Sequence, residues 1–209
     1  WSLLHPQATI TDGAFDSQNL AFFDSNLGAY RAYWRIFTAG QADGTTWKPA
    51  GHRAIRTATS ADLIHWEPWQ DLAYVDSPSE QLYTNVVKPY LRAPHLLIGF
   101  PTRYVERGWS DSMRALPERD HREERAKASL RYGTALTEGL LMAGRNGVHF
   151  ERWNEAFLPP GPQRRDSWNY GHNYIAWHVV ETRSALPDAP NDLSLYASEG
   201  AWTGDANAM

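Results

Sequence analysis

Ser60-Ala61-Asp62-Leu63-Ile64-His65-Trp66-Glu67-Pro68-Trp69 returns 84 residues later, without a gap, as Gly144-Arg145-Asn146-Gly147-Val148-His149-Phe150-Glu151-Arg152-Trp153. The His, the Glu and the final Trp are identical, and Asp62/Asn146, Ile64/Val148 and Trp66/Phe150 are chemically paired. Each copy follows a strand signal, Arg53–Thr59 before the first and Leu140–Ala143 before the second. A third strand signal, Leu193–Gly200, falls into line when Ser198 is laid on Ser60, 138 residues on. The two offsets differ by about 54 residues. Removing a charged excursion of about 30 residues from the first interval leaves the same length, and a period near 50 residues holding several short strands predicts β-propeller blades.

The motif has a local logic. An Asp or Asn just after a strand folds its side chain back onto the backbone two or three residues on, making a turn. The aromatic residue that follows is then placed to fill the space beside the sheet. These residues are therefore predicted to be turn and packing devices, not catalysts.

The rest of the chain reads as short strands. Gln18–Phe23 and Ala29–Phe37 flank the turn cluster Asp24-Ser25-Asn26-Leu27-Gly28, which is a hairpin signal. Thr84–Tyr90, His95–Tyr104 and Tyr174–Thr182 follow the same pattern, separated by turn residues. Residues 103–131 differ: acidic and basic side chains alternate in sign with few apolar residues. Pro117–Lys127 within them is expected to form a solvated helix with Glu–Arg pairs. This charged insertion is expected to lie outside the core and to tolerate shortening.

Composition narrows the function classes. Aromatic residues at 13% of 209, ten of them Trp, exclude a disordered chain. A net charge of −4 gives no footprint for nucleic acid. No apolar run approaches the ~18–20 residues of a membrane span, and Trp1-Ser2-Leu3-Leu4-His5-Pro6 shows no basic and apolar signal regions. The absence of Cys excludes a disulfide scaffold, a thiol nucleophile and Cys-ligated zinc. The eight His lack ligand spacing, and no G-x-S-x-G, G-x-x-x-x-G-K-[ST] or H-E-x-x-H occurs. Neither a metal nor a cofactor is implied, and a structural calcium ion on a propeller axis is left open.

The S-x-D-x-x-x-W turn at Ser60–Trp66, the hairpin Asp24-Ser25-Asn26-Leu27-Gly28-Ala29-Tyr30-Arg31-Ala32-Tyr33 and the preceding Phe15-Asp16-Ser17-Gln18-Asn19 resemble the five-bladed β-propeller glycoside hydrolases of families 32 and 43. The resemblance spans about residues 14–200. It implies an all-β chain of four-stranded antiparallel blades, a single propeller domain over 1–209 with 103–131 inserted. Five blades of about 54 residues exceed the 209 present. The expectation is therefore a partial propeller of three to four blades, with carboxylates of other blades outside this chain.

In such enzymes carboxylates from inner strands meet on the axis, one as base or nucleophile, one as acid, one orienting the others. The resemblance points to Asp16 as the orienting carboxylate, although Ser17 stands where the family usually has Pro. Glu80 opens the next inner strand and is the second catalytic candidate. Asn19, Tyr83, Asn85 and Arg92 around these two, and Trp168 and His172 in Asp166–Tyr174, are the expected sugar-binding groups. Thr137-Glu138-Gly139 looks like the E-G-P around the family 43 acid, but the repeat assigns it to a different strand and it is set aside. The implied activity is hydrolysis of glycosidic bonds in an oligo- or polysaccharide, and a polysaccharide-degrading parent would favour secretion or the periplasm. Two alternatives remain: a non-catalytic propeller binding glycan or protein, and a propeller polysaccharide lyase using His and Tyr.

Overall fold

A computed structural model of the chain describes residues 2–199. Residue 1 and residues 200–209, including the Gly200 that closes the third aligned stretch, lie outside the described residues. The strands, in chain order, are β1 (Leu20–Asp24), β2 (Ala29–Ala42), β3 (Trp47–Ser60), β4 (Gln70–Asp71), β5 (Ala73–Val75), β6 (Gln81–Leu82), β7 (Lys88–Tyr90), β8 (Ala93–Gly99) and β9 (Thr102–Val105). After the helices α1 (Asp111–Arg114), α2 (Arg119–Ala128) and α3 (Leu130–Thr134) come β10 (Leu136–Gly139), β11 (Met142–Gly144), β12 (His149–Arg152), β13 (Tyr174–Ile175), β14 (Val180–Thr182), β15 (Asp192–Ser194) and β16 (Ala197–Ser198). The chain is all-β in class, built of several antiparallel sheets, and it divides into two compact units.

The first unit, Trp1–Pro101 with Leu141–Asn154, holds two sheets. One runs β1-β2-β3-β4 in chain order, each strand antiparallel to the next. Its first hairpin forms because Asp24 Oδ1 accepts from the amides of Asn26 and Leu27, while Oδ2 accepts from buried Arg31 Nε at 3.1 Å. Gly28 completes the turn at φ 71°, a left-handed conformation that a side chain would strain. The other sheet has the order β5-β12-β11-β8-β7, antiparallel except for β5 against β12. Only the first of these sheets runs up and down in chain order; in the second, β5 enters parallel at the edge beside β12.

The repeated motif marks equivalent turns at the ends of β3 and β11. Asp62 Oδ1 accepts from the amides of Ile64 and His65, and Asn146 Oδ1 from those of Val148 and His149, all at 2.8–2.9 Å. The aromatic residue that follows is buried in both copies. Trp66 joins the core cluster of Ala32, Trp34, Ile36 and Ala58, while Phe150 meets Tyr33 edge-on with ring centroids 6.4 Å apart.

The second unit, Thr102–Leu140 with Glu155–Met209, holds the β9–β10, β13–β16 and β14–β15 pairs and the three helices. Ser110 caps α1 by accepting from the amide of Met113. α2 carries the pairs Arg119–Glu123 and Glu124–Lys127 on its surface, as its charge pattern predicts. The insertion is not a loose excursion, however. Met113 and Leu116 are buried, and Arg122, 1% exposed, sits inside the unit.

Some strand limits differ from the sequence reading for local reasons. His95–Tyr104 splits into β8 and β9 at Phe100-Pro101, where proline has no N–H to give a ladder. Of Thr84–Tyr90 only Lys88–Tyr90 is strand, because Val86 adopts φ 46° and the Asn85 side chain takes the amide of Val87. Tyr174–Thr182 is interrupted between β13 and β14. Among the described residues no helix is long and apolar enough to cross a membrane.

Candidate functional site

The segment before β1 is tied down so that one carboxylate is presented. The Ala14 amide donates to Arg35 O at 2.7 Å, Asn19 Oδ1 accepts from the Arg35 amide at 3.1 Å, and Asn19 Nδ2 donates to the carbonyls of Phe15 and Ser17. Asp16 is thereby held against Arg35 of β2, whose Nη2 donates to Asp16 Oδ1. The side chain of Arg35 is 2% exposed and that of Asp16 56%. Arg35 Nε and Nη1 are buried without a hydrogen-bond partner.

The residues expected from Ser79–Asn85 come to the same place. Ser17 Oγ donates to Tyr83 O at 2.7 Å, and Asn85 Nδ2 donates to Gln18 O at 3.0 Å. The Tyr83 ring lies under two guanidinium groups, Arg35 at 4.7 Å and Arg53 at 5.0 Å from its centroid, and Phe37 is shared by the same pair. Arg53 Nη1 donates to Gln81 Oε1 at 2.5 Å. Asp16, Asn19, Tyr83 and Asn85 therefore form one cluster. Both asparagines spend their amides on backbone, so their role in it is to position the loop.

Glu80 stands beside this cluster, in the wall of a cavity of about 290 Å³ that Arg53 also lines. Its Oε2 accepts from Arg152 Nη1 at 2.7 Å, and Arg152 Nη2 donates to Pro78 O at 2.8 Å. The Arg152 side chain is 1% exposed and stacks over Tyr74, 5.1 Å from the ring centroid. Burial pushes the Tyr74 phenol well above its ordinary pKa, so it is a neutral hydroxyl. Arg92 occupies the exposed Leu91–Arg92 turn between β7 and β8.

Trp168 and His172 belong to the second unit. Trp168 has φ 59°, its Nε1 donates to Gly161 O at 2.8 Å, and its carbonyl accepts from Arg122 Nη1 at 2.7 Å. His172 is 2% exposed and its carbonyl accepts from Thr137 Oγ1 at 2.7 Å. Glu138, set aside on the sequence, pairs with Arg103 directly opposite it across β9–β10, Nε to Oε1 at 2.8 Å.

The sequence reading missed the arginines. Arg35, Arg53 and Arg152 organise the carboxylates, and the signal for Arg35 was present: a charged residue inside Tyr33-Trp34-Arg35-Ile36-Phe37, where an all-apolar run would be unremarkable. Among the described residues no group of three His, Cys, Asp or Glu side chains is placed to hold a metal ion. No protein-family model matches the chain, and neither a curated protein nor a solved structure is significantly similar to it.

Proposed function

We propose that this chain is a carbohydrate-active hydrolase domain of the five-bladed propeller kind, cleaving glycosidic bonds with Asp16 and Glu80 among its carboxylates. The observation that carries the reading is the exposed carboxylate of Asp16, mounted on the buried Arg35 guanidinium, which itself stacks on the rings of Tyr83 and Phe37. Aromatic faces beside a fixed polar group suit a sugar, which offers a flat apolar face and a rim of hydroxyls. The first sheet, β1-β2-β3-β4, has four antiparallel strands in chain order like a blade, which supports the propeller part of the reading.

The chemistry assigns roles. An ion-paired carboxylate is suited to accept from a sugar hydroxyl or to orient a neighbouring acid. Asp16 on Arg35 fits that role, and Glu80 on Arg152 fits a base, a nucleophile or a second orienting group. A separation of about 5–5.5 Å between the two working carboxylates goes with retention, and about 6.5–9.5 Å with inversion. The test is a hydrolysis screen over a glycan library, run on the longest available form of the protein with Asp16→Asn and Glu80→Gln beside it. Turnover of at least one glycan, lost by orders of magnitude in either variant, is the expected result.

One observation favours a second reading, a non-catalytic glycan-binding domain: both candidate carboxylates are engaged by buried arginines. Saturable glycan binding without turnover across the whole library would select it.

A further inference from the structure

The cavity that Glu80 lines also holds polar groups to which the proposed hydrolysis gives no part. Tyr74, Arg152, Ser77 and Ser79 form part of its wall, together with the carboxylates of Asp71 and Glu80, each already paired with an arginine, Arg56 and Arg152. Arg152 uses Nη1 on Glu80 and Nη2 on Pro78 O, which leaves Nε, buried and without a partner. The Tyr74 hydroxyl is likewise buried and without a partner. Two orphaned polar groups of this kind are costly, the charged one more so, and buried polar groups are as a rule satisfied.

We propose that this cavity binds a carboxylate-bearing sugar of monosaccharide size, a hexuronate, whose carboxylate accepts from Arg152 Nε and Tyr74 Oη. The inference rests on the carbohydrate reading of the same unit and names the sugar class. Arg152 Nε can only donate and the Tyr74 hydroxyl can donate beside it, so an acceptor satisfies both, and a carboxylate on a guanidinium makes the short, charge-assisted kind of hydrogen bond. The volume, about 290 Å³, lies at the small end of ligand pockets and suits one ring, not a chain. Thr38 Oγ1 already accepts from the His52 amide, and Ser77 Oγ donates to the carbonyls of Val75 and Arg152. Thr38 can therefore still donate to a sugar hydroxyl or accept from one, Ser77 can accept from one, and Ser79 adds a third hydroxyl to the wall.

The test is calorimetric titration of the full chain with D-galacturonate, D-glucuronate, D-galactose, D-glucose and acetate, with thermal melts of each variant. One uronate binds saturably, at least tenfold more tightly than its neutral counterpart and than acetate. Tyr74→Phe keeps the ring under Arg152 and removes only an unpartnered hydroxyl, so it weakens uronate binding at least tenfold without lowering the melting temperature. Absence of uronate binding, equal binding of the neutral sugar or of acetate, or unchanged affinity in Tyr74→Phe each overturns the proposal. Turnover of a neutral glycoside with no uronate binding leaves the hydrolase reading standing and removes this one, whereas uronate binding without any turnover does the reverse.

Discussion

Arg35 is sealed inside the first unit while Asp16, the carboxylate it holds, faces solvent, 2% against 56% exposed. The arrangement makes Asp16 structural and presentable at once. Asp16 is the carboxylate that offsets a buried guanidinium, and its outer face remains open to a ligand. An isolated buried charge is expensive unless paired.

That coupling changes what Asp16→Asn should do. Read from sequence alone, the substitution removes charge and leaves folding intact. With Arg35 beneath it, the amide leaves the guanidinium without an anion, and about 1–2 kcal/mol of stability should go with the activity, toward the low side of buried pairs because Asp16 is wet. The double variant Asp16→Asn/Arg35→Met removes both charges and should recover most of that loss in a denaturant titration. If Asp16 serves chemistry, the recovered double variant still turns over no glycan. Full activity in it would return Asp16 to a purely structural role.

Gly147 is where the second copy of the motif meets the first sheet. It has φ +83°, a Cβ there would run into the Arg31 guanidinium, and its carbonyl accepts from the Tyr33 hydroxyl at 2.9 Å. Gly147→Ala should therefore cost about 2 kcal/mol or more, through left-handed strain and displacement of Arg31. The exposed turn glycine Gly28 has open space at its Cβ position, so Gly28→Ala carries the strain alone and should cost less. Urea midpoints of the two variants in the reverse order would contradict this account.

The first motif copy carries a pH signature. The His65 Nδ1 sits 2.7 Å from Asp62 Oδ2, and that hydrogen bond, then the Asp62 charge, raises the His65 pKa above its ordinary 6.5. Because the folded value is the higher one, the stabilising contribution is complete below about pH 6.5 and fades as pH rises through the folded value. An NMR titration of the His65 ring should show the raised midpoint, and Asp62→Asn should bring it back toward the ordinary value. The same midpoint in both proteins would show that Asp62 is not the cause.

The repeat was legible because turn chemistry is local. A side chain that reaches its own backbone two or three residues on needs nothing else to be in place, so Asp62 and Asn146 could be read in advance. The strand content followed from the same kind of short-range pattern, whereas the meeting of the Asp16 loop with Tyr83 is a contact between residues 66 apart that no local pattern carries. The arginines were not legible. Arg35, Arg152 and Arg122 are surface residues by composition, and only tertiary contacts reveal that each is buried and what it holds. Propeller closure is a property of long-range arrangement, and three short motifs do not encode it.

The charged insertion supplies the last prediction. Its sequence reads as a solvated flap that can be shortened, but Arg122 of α2 is 1% exposed and donates to three carbonyls: Pro117 through Nε at 2.9 Å, Trp168 through Nη1 and Ser167 through Nη2, both at 2.7 Å. Glu118, just before the helix, accepts from the Asp166 amide at 2.8 Å, so the helix fixes the Asp166–Trp168 loop from two sides. Burial lowers the Arg122 pKa, but the group starts so far above neutrality that it stays charged. Arg122→Ala should cost about 3 kcal/mol or more, since it strands three acceptors and opens a space in the unit. Arg122→Lys should recover little, because one ammonium on a single stem cannot serve three carbonyls fanned around a planar fork. Replacing residues 105–130 with a short Gly/Ser linker should give the same loss in a more severe form, with poor recovery of folded protein. Hydrogen exchange at residues 166–170 reads the cause directly: those amides should exchange faster in Arg122→Ala, while the first-unit strands β2 and β3 keep their protection. A linker variant that folds with an unchanged melting temperature would restore the insertion to a dispensable surface element.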